Sequence, residues 1–131
     1  MFYDVLRFHN PLQVVTTDAT ITDIVTVPLS TLPGWTGGNV AIHVEGVLIG
    51  RDSSGNCVST RVARCVKVQG GSLSALGTQA SLAGVGIGDA ALSAIVATLD
   101  TSGTSLRLRA TGLIATTISW RGFIEIRSGD L

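Results

Sequence analysis

From Ala94 to Arg127 polar and apolar residues alternate in three runs separated by turn residues. Leu106, Leu108 and Ala110 face one way, with Ser105, Arg107, Arg109 and Thr111 opposite. Ile118, Trp120, Ile124 and Ile126 share a second apolar face, backed by Ser119, Arg121, Glu125 and Arg127. A period of two marks half-buried strands, because successive side chains leave opposite sides of the backbone. Asp100-Thr-Ser-Gly103 has turn chemistry: Gly accepts positive φ, and Asp bonds back to nearby N–H groups. The pattern predicts a three-stranded antiparallel meander, with Trp120 buried among Leu106, Leu108, Ile118 and Ile124.

Upstream, Val40, Ile42, Val44 and Leu48 alternate with His43, Glu45, Val47, Ile49 and Arg51. Residues 52–56 read as a hairpin loop, followed by a strand from Cys57 to Gln69. Val58, Thr60, Val62, Val66 and Val68 line one side of that strand, interrupted by Arg64; Arg61 and Lys67 lie opposite. Gly70-Gly71 turns the chain again. Nearer the start, Asp18 separates two short Val/Ile/Thr-rich strands, and Pro28 ends the second or sets it at an edge. Within it Ile21, Asp23, Val25 and Val27 alternate with Thr20, Thr22, Ile24 and Thr26. Residues 72–92 are small and irregular. The first ten residues carry bulky apolar groups on both faces, which suits a core strand or an arm laid on a neighbouring chain. The arm reading makes Phe2, Tyr3, Leu6 and Phe8 candidate partner-binding residues. In the loop from Ser30 to Asn39, Trp35 is a lid on the core or another contact anchor. The division is an N-terminal arm over 1–13 and an all-β domain over 14–131, a single antiparallel β-sandwich or jelly-roll-like fold.

Composition bears on partners. Charged residues are 14% of the chain, below the ~25% of ordinary domains, while 12 serines and 15 threonines supply polarity. Net charge is zero, which gives no field to attract nucleic acid or an anionic membrane. No apolar run approaches a membrane span, and the N-terminus does not read as a signal peptide. Eight of nine cations are Arg, the cation enriched at interface centres. Cys57 and Cys65, ~26 Å apart along a continuous strand, are too distant to bridge; buried, reduced thiols are the expectation.

Candidate chemistry is sparse. Gly86-Ile-Gly88-Asp-Ala-Ala91 matches a loose dinucleotide fingerprint, but the next acid, Asp100, is only twelve residues beyond Gly88 and sits in a hairpin turn. A bend with one short helical turn is expected there. His9 and His43 lack ligand-spaced companions, and no Gly-x-Ser-x-Gly occurs. His43 and Glu45 form a same-face pair suited to an exposed contact. Arg107, Arg109, Arg121 and Arg127 read as a basic row across adjacent strands or, more simply, as cations paired with Glu125, Glu45 and neighbouring subunits. No catalytic residue, cofactor or metal ligand is expected, and no enzymatic activity.

Several phrases together resemble a small β-sandwich domain of tailed-phage virion proteins, found in capsid decoration (cement), head-fibre and tail-fibre proteins. The matches fall on Thr17, Ala19, Thr20, Glu45, Arg51, Asp100, Ser102, Gly103, Arg107, Gly112, Ile118 and Trp120. Leu92 departs from the pattern where an aromatic is frequent, and the aromatic arm before Val14 is particular to this chain. The resemblance implies a structural, non-catalytic module, usually trimeric. The expectation is a decoration protein that holds capsomers together as a homotrimer, partnered by the major capsid protein or another virion protein. It would assemble in the host cytoplasm and reside on the virion, binding no membrane and no specific nucleic acid. A tail-fibre or receptor-binding (carbohydrate-binding) virion protein is the alternative.

Overall fold

A computed structural model describes residues 5–32, 39–81 and 87–129. The strands are Leu6–His9 (β1), Val14–Thr16 (β2), Ile21–Pro28 (β3), Asn39–Asp52 (β4), Cys57–Gln69 (β5), Ser72–Ser81 (β6), Ile87–Gly88 (β7), Val96–Ser102 (β8), Ser105–Thr111 (β9) and Ile118–Gly129 (β10). The larger sheet runs β1-β10-β4-β5-β6, with β2 also on β10 and β7 also on β5; the smaller runs β3-β9-β8. Every pairing is antiparallel. The fold is an all-β sandwich, and the inward faces of both sheets form one core.

Three long strands, β10, β4 and β5, give the large sheet its spine. β4 pairs with β5 through the Asp52–Asn56 turn and with β10 on its other side. The predicted inward sets of β4, β5, β9 and β10 are buried except for Val40, which is half-buried, and Trp120 is fully enclosed. Its Nε1 donates to Thr16 Oγ1 at 2.9 Å, so the ring's polar edge is satisfied inside the core. Three glycines leave room for large neighbours: a Cβ on Gly50 would lie 2.7 Å from the Trp120 ring, one on Gly46 2.7 Å from Leu108, and one on Gly122 2.8 Å from Ile24.

The predicted meander is corrected. β8 and β9 form the expected hairpin, but β10 leaves the small sheet and joins the large one. The link over 112–117 crosses between layers. Gly112 starts it where a Cβ would lie 2.6 Å from Thr16 Oγ1, and Ala115 takes φ 54°. Both sheets turn apolar faces to the same core, so an alternating strand fits either layer. Alternation cannot say which.

β3 departs from strict alternation for a different reason. A bulge between Asp23 and Val25 turns Ile24, Val25 and Val27 inward and releases Asp23 to Arg109 Nε at 2.7 Å. The irregular stretch after Gly71 contains β6, β7 and a 310 turn at Ala90–Leu92, whose Leu92 is fully buried. Of the fingerprint-like glycines, Gly88 pairs with Val58 and opens no long helix, and Gly86 lies outside the described residues.

Side chains close the open side of the sandwich. Gln79 on β6 donates to Ala97 O (2.8 Å) and accepts from Leu99 N–H (2.7 Å), while Arg64 Nη1 donates to Leu99 O (3.0 Å). They occupy backbone groups of β8 that an added strand would otherwise seek. The inward Arg64 is thereby accommodated, with only its buried Nε lacking a partner among the described atoms.

Candidate interaction surface

The strands β1, β10, β4 and β5 present the outward face of the larger sheet. Register assigns its rows. His9, Phe123, Val47 and Arg61 lie across one; Arg121, Ile49 and Ser59 across the next; then Val15, Ser119, Arg51 and Cys57. On the other side of the first row lie Arg7, Glu125 and Glu45, followed by Arg127, His43 and Cys65. Phe123, Val47 and Ile49 therefore form an apolar strip on β10 and β4, with Phe123 43% and Ile49 46% exposed, while Val15, 51% exposed, stands apart from it across Ser119 and Arg121. The rings of His9 and Phe123 sit 6.5 Å apart.

Charged side chains border the strip. Glu45 accepts from Arg61 Nη2 at 2.6 Å and lies 3.0 Å from His43 Nε2. These contacts, Arg61 foremost, hold its carboxyl below the ordinary Glu range. Glu125 is shared by Arg127 (2.8 Å) and Arg7 (3.5 Å). Arg51, Lys67 and Arg121 make no ion pair among the described residues. Exposed pairs of this kind contribute little stability, but they fix where charge sits on the face.

The predicted basic row is corrected. Arg107 and Arg109 lie on β9, in the other sheet from Arg121 and Arg127. Arg107 bonds Asp100 through two nitrogens (2.9 and 3.0 Å), and Arg109 bonds Asp23. The cations that do share a face come from four strands, of which β4 and β5 are joined by a turn while β1 and β10 come from opposite ends of the chain. Outward alternation marked Arg61 and Lys67, but only the strand order 1-10-4-5 brings them beside Arg7 and Arg121.

Of the candidate contact residues, Leu6 and Phe8 lie on β1, half-buried against the core of their own chain and opposite Ile126 and Ile124. Phe2, Tyr3 and Trp35 lie outside the described residues. Asn10, which sequence reasoning passed over, is buried between β1 and β2. It accepts from Gly122 N–H (2.7 Å) and donates to Leu12 O (2.7 Å) and Trp120 O (3.3 Å), serving β10 where neither short strand reaches. The cysteines are unpaired as expected but exposed, not buried; odd positions of β5 point outward, as its inward valines imply. A depression of about 200 Å³ beside Pro28, Leu29, Ser30 and Thr104 is smaller than the ~300 Å³ at which small-molecule sites begin. Among the described residues no three His, Cys, Asp or Glu side chains group to hold a metal.

No protein-family model matches the sequence, and no curated protein matches it. Among solved structures, 96% of the chain aligns with part of the tailspike protein of Acinetobacter baumannii phage AM24, at TM-score 0.39 and 13% identity. A second alignment, over 95% of the chain, is with the tailspike protein of Acinetobacter phage vB_ApiP_P1, at TM-score 0.35 and 15% identity. The chain spans 28% and 22% of those proteins' lengths.

Proposed function

We infer that this chain is a structural component of a phage virion, a decoration (cement) protein acting as a homotrimer without a catalytic role. The observation that carries the reading is the broad outward sheet face, an exposed apolar strip held among ordered charges on a rigid two-layer support. A flat surface of that kind suits another protein better than a small ligand. The phage-like order of sequence phrases, from Thr17 to Trp120, gives the reading its virion context. Self-association finds support elsewhere, at β6. This strand ends the large sheet, and no charged residue occurs from Val68 through Gly88. Edge strands usually carry charges, Pro or a bulge that discourage pairing; β6 has neither charge nor Pro, and its bulge leaves Ser72 to Leu76 regularly paired with β5.

Gold-labelled antibody against the chain, applied to purified particles, tests the placement. Label over the capsid shell is expected. Label confined to the tail would favour the tail-fibre or receptor-binding alternative, and unlabelled particles would contradict a virion role.

A further inference from the structure

The neutral chain conceals a charge separation. Six cations (Arg7, Arg51, Arg61, Lys67, Arg121 and Arg127) point outward from the large sheet, against two carboxylates, Glu45 and Glu125. Elsewhere the described residues hold three arginines and five aspartates. Both glutamates of the face are already engaged, each by two basic side chains. Arg51, Lys67 and Arg121 remain with no carboxylate partner among the described residues.

We propose that this face docks an acidic protein surface, with the strip of Val47, Ile49 and Phe123 buried at its centre and Arg51 and Arg121 paired with the partner's carboxylates. This deepens the virion reading and rests on it. Charge complementarity names the sign of the partner, and the apolar strip names its class. Nucleic acid would place phosphates over Ile49 and Val47, which bury nothing against them. Four strands at ~4.8 Å spacing and about twelve residues at ~3.3 Å give a face on the order of 700 Å², close to the ~800 Å² that each side of a stable interface buries.

The test uses full-length protein and particles from phage lacking the gene for this chain. Arg51→Glu with Arg121→Glu should weaken re-binding to those particles at least about ten-fold, since like charges then meet. The wild-type interaction should weaken as salt rises. Ile49→Ser should also weaken docking, with its salt dependence retained. Thr26→Glu with Val96→Glu, both exposed on the small sheet, should dock as wild type does; circular dichroism melting confirms that each variant folds. Wild-type docking by the Arg51/Arg121 variant overturns the proposal and leaves the virion role standing. Loss of self-association in that variant overturns it by making a second copy the occupant. Tight binding to oligo(dT) or phosphatidylserine vesicles that the same variant abolishes, with particle docking intact, replaces the protein partner with an anionic polymer or membrane. Particles from wild-type phage that never carry the chain would sink this proposal and the virion role together.

Discussion

Trp120 is the residue on which the interior depends, and Gly50 is its counterpart. A methyl at Gly50 would press on the ring at 2.7 Å and on Ile118 at 3.1 Å. Gly50→Ala should therefore cost about 1–3 kcal/mol by overpacking, and Trp120→Ala about 3–5 kcal/mol by cavity formation. In the Trp120→Ala background the Gly50→Ala penalty should largely vanish, because the two residues share one space. Urea denaturation of the four proteins checks this; additive losses would separate the sites. Glu45 gives a pH dependence. Its folded carboxyl is held below its ordinary value of 4.5, chiefly by Arg61, so on acidification the unfolded chain takes the proton first. The contribution is complete above about pH 4.5 and is lost as pH falls through the lower folded value. Glu45→Gln should flatten the fall in Tm between about pH 6 and about pH 3; an unchanged slope would mean that the Arg61 pair contributes no stability.

At the scale of elements, face assignments were more legible than partners. The outward and inward sets of β4, β5, β9 and β10 could be read because each strand buries one side. Which strand lies beside which could not, since pairing is decided by links such as 112–117 and by backbone groups that carry no hydropathy. The bulge in β3 was concealed for a related reason: an extra residue shifts the register without changing composition. Asn10 was missed because its role depends on a gap between β1 and β2 that exists only in the folded sheet. β1 itself yields a prediction. Leu6 and Phe8 cover part of the core beside β10, so deletion of residues 2–9 should reduce unfolding free energy by about 2–4 kcal/mol, at roughly 1.5–3 kcal/mol per fully buried side chain. An arm that serves only a neighbouring chain predicts near-native stability with docking lost. Calorimetry of the truncated chain beside its re-binding to particles separates the two.

At the scale of the whole molecule, the proposed virion role would set the apolar and basic sheet face against a partner and the uncharged β6 edge against other copies. Light scattering across micromolar concentrations should give three times the chain mass, and a monomer throughout would remove the homotrimer. The face could not be read before folding, because Arg7, Arg51, Arg61 and Arg121 lie on four different strands of a chain whose total charge is zero. The virion role is tested most directly by quantitative mass spectrometry of purified particles. A decoration protein predicts this chain at a copy number comparable with that of the major capsid subunit. Its absence from particles, in lysates where the chain itself is abundant, would contradict the account.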